Sequence, residues 1–146
     1  MPADLILIAA PTREESDRIA HAMTPLGSYA FVFAQSVDGA LQVATSVQPD
    51  LVIAALGGRD GIVTCTRLRM LDGTRAGRVL LLLDRGQLNG AWTAGASAVL
   101  LRPAASFLIA VEAKHTLERV ERRTLWVPDR RASFRGGRRI GDVGEG

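Results

Sequence analysis

The sequence predicts an α/β fold in which a five-stranded parallel sheet is covered by helices on both faces. Its 146 residues are the usual length of one domain. Five short aliphatic runs alternate with five segments of helical spacing, which is typical of parallel strands joined by helical crossovers. Hydrophobic residues make up 47% of the chain and charged residues 23%, which excludes a disordered protein.

The first strand and helix have well-marked ends. Residues 5–8 are a continuous run of leucine and isoleucine, as expected for a strand that is buried on both faces. Thr12 is a suitable helix N-cap, with Glu15 three residues later, and the helical spacing that follows stops at Gly27. A central strand followed by a capped helix is therefore predicted.

The rest of the chain repeats this alternation. The predicted elements are strands at 29–34, 51–54, 79–83 and 99–101, helices at 37–48, 62–71 and about 88–94, a flexible loop at 57–61, and a long helix capped by Ser106 and reaching about residue 123. We therefore predict a flavodoxin-like, doubly wound five-stranded parallel sheet of order 2-1-3-4-5 with five helices. The working crevice of such a sheet lies beyond the carboxyl ends of its central strands.

Two stretches resemble bacterial response-regulator receiver domains. Residues 48–53 read Gln-Pro-Asp-Leu-Val-Ile, and residues 94–103 read Ala-Gly-Ala-Ser-Ala-Val-Leu-Leu-Arg-Pro, similar to the family's Ala-Gly-Ala-Asp-Asp-Tyr-Leu-x-Lys-Pro. The resemblance extends over residues 4–123. It divides the chain into a receiver-like domain, residues 1–123, and a basic, flexible C-terminal tail, residues 124–146.

The residues that accept a phosphoryl group in the family are altered in this chain. The resemblance implies that the acids after the first strand fall among Ala9, Ala10 and Pro11, the acceptor on Ala55, the hydroxyl on Leu83, and the Lys-Pro pair on Arg102 and Pro103. Alanine has no nucleophilic oxygen, and Mg²⁺ needs oxygen ligands that alanine and proline side chains lack. We therefore expect a degenerate site with no catalytic, cofactor-binding or metal-binding residues, and a protein that is not an enzyme.

Three polar residues near this crevice leave alternatives open. Asp60 and Asp84 are candidates for displaced metal ligands, although loop aspartates more often cap or remain solvated. Arg102 is expected to form an ion pair with one of them, in preference to binding a ligand. The family's cis Lys-Pro bond predicts a cis peptide between Arg102 and Pro103.

A candidate interaction surface follows from the same resemblance. The helix after the fourth strand, the fifth strand and the last helix form the family's output and dimerisation face. The segment between Leu83 and Gly95 is about three residues shorter than in the family, nearly one helical turn. The candidate surface residues are Trp92, Val99, Leu101, Phe107 and Trp126. Packing of Trp92 into the core is an equally open alternative.

The basic charge is concentrated near the C-terminus. Residues 122–139 contain seven arginines and one acid, whereas residues 1–121 carry a net charge of −1. The candidates for nucleic-acid contact are Arg130, Arg131, Arg135, Arg138 and Arg139. A tail that is only solvated, or the start of a linker, is the competing interpretation.

These observations favour a phosphorylation-independent pseudo-receiver that signals through a protein partner or as a homodimer. The alternatives are a nucleic-acid-associated regulator that uses the arginine tail, and a small-molecule sensor that uses the crevice near Ala9, Ala55, Gly57 and Leu83. No apolar run approaches the ~20 residues that cross a bilayer, and no basic leader begins the chain. We therefore expect a cytoplasmic protein with no membrane contact.

Overall fold

The computed structural model describes residues 3–71, 78–84, 86, 87, 90 and 93–126, with only the backbone for 119–126. Five parallel strands form one sheet of order β2-β1-β3-β4-β5. The strands are β1 (Asp4–Ala9), β2 (Tyr29–Ala34), β3 (Leu51–Ala54), β4 (Arg78–Leu83) and β5 (Ala98–Leu101). In the described part of the chain the α-helices are α1 (Arg13–Met23), α2 (Val37–Val47), α3 (Asp60–Arg69) and α4 (Ser106–Trp126), with a short 3₁₀ helix at Thr24–Leu26. The predicted sheet and strand order are confirmed.

The core has two halves, one on each face of the sheet. Successive side chains of a strand point to opposite faces, so Ile6 and Ile8 pack beneath α1 and α4 while Leu7 and Ala9 pack beneath α2 and α3. All four side chains are fully buried. This two-sided burial is the physical reason why the strands are aliphatic throughout, without polar alternation.

Side-chain caps and a left-handed residue mark the helix ends that the sequence predicts. The hydroxyl of Thr12 accepts the Glu15 amide at 3.2 Å, and the hydroxyl of Ser36 accepts the Gly39 amide at 3.0 Å. Gln48 ends α2 with a φ of 50°, directly before Pro49. The predicted cap at Thr12 and the predicted end of the second helix before Pro49 are confirmed, and Ser36 is a cap that the sequence analysis did not name.

Helix α3 begins two residues earlier than predicted. Asp60 is already helical, and Gly61 lies so close to the sheet that an added Cβ would be 3.0 Å from Leu81 Cδ1 and 3.3 Å from the Leu56 carbonyl oxygen. The glycines that suggested a flexible loop therefore include one that a close helix-to-strand contact requires. The predicted loop at residues 57–61 is therefore wrong at its C-terminal end, where residues 60 and 61 are helical.

The C-terminal part differs from the prediction in small ways. Ser106 is the first residue of α4 and not its cap, and the helix runs to Trp126, three residues beyond the predicted end. The predicted helix at about 88–94 lies mostly outside the described residues, as do residues 127–146 of the predicted tail. None of the described helices is long and apolar enough to cross a membrane.

Arg69 holds the loop that leads into β5. Its Nε donates to the Gly95 carbonyl at 2.9 Å, and a terminal nitrogen donates to the Ser97 hydroxyl at 3.1 Å. That hydroxyl also accepts the Val79 amide at 3.1 Å, and Gly95 has a φ of 92°. The motif around Gly95 therefore forms part of the framework, because it fixes the start of β5 against α3 and β4.

Candidate functional site

The residues that the sequence places in the crevice meet at the carboxyl edge of the sheet. Ala9 and Leu83 end β1 and β4, Ala55 directly follows β3, and Arg102 directly follows β5. Ala10 follows Ala9, and these three alanines and the leucine are at most 1% exposed. Pro11 and Pro103 are exposed. The topology therefore brings the predicted positions together, but with methyl and isobutyl groups where the family carries oxygens.

Backbone hydrogen bonds continue past the strand ends at this edge. The Ala55 amide donates to the Ala9 carbonyl at 2.7 Å, and the Arg102 amide donates to the Leu83 carbonyl at 2.7 Å. The Arg102–Pro103 peptide is cis, which confirms the sequence prediction. These backbone bonds join the ends of β1, β3, β4 and β5 at the crevice.

The guanidinium of Arg102 occupies the crevice. One terminal nitrogen donates to the carbonyl oxygen of Ala55, and the other lies 3.7 Å from the Glu15 carboxylate. The side chains of Arg102 and Glu15 are 26% and 27% exposed. We call this three-residue link the Arg102 bridge. It connects α1, the end of β3 and the end of β5, and it gives a partly buried cation both a neutral acceptor and a counter-charge.

The expected partner of Arg102 was wrong. The ion pair is made with Glu15, and not with Asp60 or Asp84. Asp60 lies in the first turn of α3, where its carbonyl accepts the Thr64 hydroxyl at 2.7 Å, and Asp84 is exposed. Glu15 had been noted only as a capping residue. Its amide does take part in the cap, but its carboxylate faces the crevice from the first turn of α1, a direction that only the packing of α1 decides.

Gln87 is a crevice residue that sequence reasoning missed. Its side-chain oxygen accepts the Asp84 amide at 3.1 Å, and its nitrogen donates to the Gly58 carbonyl at 3.2 Å. An amide can do both because it carries a donor and an acceptor. Gln87 thereby joins the loop after β3 to the segment after β4. No motif in the sequence distinguished it from a surface glutamine.

In the part of the chain that the structure describes, the cysteine and the two histidines lie on three different helices. The Cys65 thiol is buried 3.5 Å from the Ala94 carbonyl, and burial raises its pKa, so the reactive thiolate is disfavoured. His21 lies on α1 and His115 on α4. Within the described ranges, no three residues of the types His, Cys, Asp and Glu are arranged to hold a metal ion.

The candidate interaction residues divide into three groups. Leu101 is 43% exposed and Phe107 62% exposed, and the neighbouring Leu108, which the sequence analysis did not single out, is 55% exposed. Val99 instead packs in part against the core half beneath α2 and α3. Trp92 and the side chain of Trp126 lie outside the described residues. We call Leu101, Phe107 and Leu108 the apolar patch.

Solved structures similar to this chain are receiver domains. The receiver domain of a histidine kinase from Syntrophus aciditrophicus is 23% identical with a TM-score of 0.70, over 82% of this chain and 94% of that chain. The receiver domain of an HD domain-containing protein from Pseudomonas fluorescens Pf-5 is 23% identical with a TM-score of 0.70, over 83% of this chain and 99% of that chain. A response-regulator receiver domain from Clostridium thermocellum is 19% identical with a TM-score of 0.68, over 84% and 98%.

The comparisons of sequence, unlike those of structure, found no match. No protein-family model matches the chain, and no curated protein matches it. The likeness therefore rests on the order and packing of the elements. This chain has the fold of response-regulator receiver domains.

Proposed function

We propose that this protein is a phosphorylation-independent pseudo-receiver, an interaction module of bacterial two-component signalling. The observation that carries the proposal is the Arg102 bridge. The guanidinium binds the carbonyl of Ala55, the residue at the acceptor position, and pairs with Glu15. The Arg102 bridge, which joins three residues of the protein itself, lies at the positions where the family uses a carboxylate, a metal ion and a lysine.

The chemistry of the crevice supports this function. Transfer of a phosphoryl group to protein needs a nucleophilic oxygen and, in this family, a magnesium ion that neutralises the developing charge. Ala55 offers a methyl group, and Ala9 and Ala10 offer no ligands. The structure brings the Glu15 carboxylate to this edge, and the positive charge of Arg102 lies beside it. Arginine is also a poor substitute for the compact ammonium of lysine.

The apolar patch supports a role in binding. Leu101, Phe107 and Leu108 lie at the end of β5 and in the first turn of α4, and each is more than two-fifths exposed. Large exposed side chains of this kind are typical of binding surfaces. Because Arg102 and Pro103 directly follow Leu101, the Arg102 bridge holds one end of the patch in place. We infer that a protein partner docks on this surface.

A small phosphodonor tests the loss of phosphorylation directly. The full chain is incubated with acetyl phosphate and Mg²⁺, followed by intact-mass measurement, with a receiver domain that has an intact acceptor as the positive control. We expect the positive control to gain one phosphoryl group and this chain to gain none. A hydroxylamine-sensitive phosphoryl adduct on this chain would contradict the proposal.

The arginine content of residues 122–139 favours a second candidate function, nucleic-acid binding. Seven arginines follow a body of net charge −1. Electrostatic binding of this kind weakens as salt rises. A fluorescence anisotropy titration with duplex DNA and with RNA compares the full chain with a variant in which Arg130, Arg131, Arg135, Arg138 and Arg139 are replaced by glutamine. Salt-sensitive binding that the substitutions abolish would support this function, and no binding by either chain would exclude it.

The structure weighs against the third candidate, a small-molecule sensor. Ala9, Ala55 and Leu83 are at most 1% exposed, so they present almost no surface to a ligand. The Arg102 guanidinium donates to the carbonyl oxygen of Ala55, one of these residues. An uncharged ligand would have to displace a charged group that already has two partners.

A further inference from the structure

The outer edge of β2 presents a row of backbone groups to which no described residue pairs. β2 is the first strand of the sheet, and all six of its residues are in register with β1 on the inner side. The Ala34 carbonyl accepts the Ala10 amide at 3.1 Å, which shows that Ala34 points its backbone groups towards β1. Since these groups alternate along a strand, Tyr29, Phe31 and Phe33 point their N–H and C=O groups outwards.

This edge lacks the features that keep edge strands apart. Exposed edges usually carry a lysine, a proline or a bulge, each of which hinders pairing with another chain. Residues 24–37 contain no charged side chain, and β2 itself contains no proline. The register with β1 runs without interruption from Tyr29 to Ala34, so no bulge twists the edge away. Six regular, uncharged residues are therefore available for strand pairing.

A groove lined by both apolar and polar side chains follows the same edge, with Arg13, Gln42 and Ser46 beside the apolar residues. It has a volume of about 720 Å³ and is lined by side chains of β2 and α2, among them Phe31, Phe33 and Val47. Val47 is 41% exposed. The guanidinium of Arg13 lies 4.0 Å from the centre of the Phe33 ring and marks the end of the groove nearest α1. Side chains of a second strand would therefore meet apolar surface beside the backbone row.

We propose that a second copy of this chain pairs its own β2 with this edge, in antiparallel orientation, so that the two sheets form one continuous sheet of ten strands. A two-fold axis perpendicular to the sheet brings the same row of donors and acceptors together from both subunits. The absence of charge from residues 24–37 removes the like-charge repulsion that self-pairing would otherwise cause. The two grooves add the apolar area that a strand pair alone lacks, since stable interfaces bury roughly 1,200–2,000 Å² in total.

This dimer leaves the apolar patch free. β2 and β5 are the two opposite ends of the sheet, so pairing through β2 does not involve the region of Leu101. The dimer would present two copies of the patch to a partner. Self-association through β2 is independent of whether the crevice accepts a phosphoryl group.

The experiment compares three full-length chains: wild type, Ala30→Lys and Met70→Lys. Ala30 is exposed within β2, whereas Met70 is 76% exposed beyond the end of α3, so the second substitution adds the same charge away from the edge. Light scattering coupled to size exclusion gives the molar mass over a concentration series. We expect wild type and Met70→Lys to be dimers, and Ala30→Lys to show a dimer dissociation constant raised at least tenfold, with a circular-dichroism spectrum that shows the chain still folded.

Amide hydrogen exchange locates the interface. In the dimer the outward amides of Phe31 and Phe33 become hydrogen-bonded, so their exchange slows as the concentration rises, and this slowing disappears in Ala30→Lys. A chain that is monomeric at its highest soluble concentration would overturn the proposal. A dimer in which these amides stay unprotected, or one that Ala30→Lys leaves intact, would also overturn it. If the amides of Phe31 and Phe33 become protected only after a different protein is added, the edge binds that protein and not a second copy of this chain, which would also overturn the proposal.

Discussion

Two arginines hold the two ends of β5, and they do so in different ways. At the start of the strand, Arg69 of α3 donates to the Gly95 carbonyl and the Ser97 hydroxyl, which belong to the loop beside it. At the end of the strand, the side chain of Arg102 reaches Ala55 and Glu15, which come from distant parts of the chain. The start of β5 keeps a framework motif that the sequence shows. The end carries a link between distant residues, which only the folded chain shows.

The largest expected effect is at the start of β5. Arg69→Ala removes the side-chain donor to the Gly95 carbonyl and one of the donors to the Ser97 hydroxyl, and we expect a loss of about 1–3 kcal/mol in the free energy of unfolding. Urea unfolding followed by circular dichroism measures it. The matched control is Arg67→Ala on the same helix, where the ion pair with Asp38 at 3.8 Å is exposed and contributes less than about 1 kcal/mol. Equal losses in both variants would remove the distinction between the two arginines.

A smaller effect is expected at the end of β5. Arg102→Gln keeps a donor but removes the charge and the fork of the guanidinium, and we expect a loss of about 1 kcal/mol. Glu15→Gln is expected to cost less than about 1 kcal/mol, because both partners are one-quarter exposed. A double-mutant cycle between the two sites measures their coupling in urea unfolding. Strictly additive losses would mean that the carboxylate contributes nothing to the bridge.

The apolar patch should affect binding without affecting stability. Phe107 and Leu108 are more than half exposed, so replacing both by serine should leave the melting temperature nearly unchanged. We expect the double variant to lose at least tenfold in affinity for a docking partner, measured by isothermal titration. Met70→Ser is the control, because Met70 is also exposed but lies away from the patch. Undiminished affinity would place docking elsewhere.

The smallest expected effect concerns Cys65, which packs against Ala94 beside the start of β5. Burial raises the pKa of its thiol, so the folded protein keeps the proton at a pH where the unfolded chain has lost it. The stability that this contributes is complete below the pKa of the unfolded thiol and decreases as pH rises through the folded value. A maleimide should therefore label native Cys65 far more slowly than the unfolded chain at neutral pH. Equal labelling rates would show that the site opens readily.

The sequence predicted most of the fold because the signals are local. Aliphatic runs mark the strands, and the cap at Thr12 together with the stop before Pro49 marks the first two helices. The start of α3 was missed because Gly61 looks like a loop residue, and its close contact with Leu81 is a tertiary fact. The site positions were predicted from the resemblance to receiver domains, and parallel topology brings those strand ends together.

The sequence by itself determined that the side chains at positions 9, 10 and 55 carry no oxygen, because the side chain of alanine is a methyl group in any fold. It also predicted the strand order, through the alternation of strands and helices that is typical of a doubly wound fold, and the cis peptide, through the resemblance at residues 94–103. Only the tertiary structure decided which partners the Arg102 side chain has in the crevice. Its pairing with Glu15, and not with Asp60 or Asp84, depends on the position of the first turn of α1. It likewise decided that the backbone groups of Tyr29, Phe31 and Phe33 face outwards, because hydrogen-bond direction depends on the neighbouring strand.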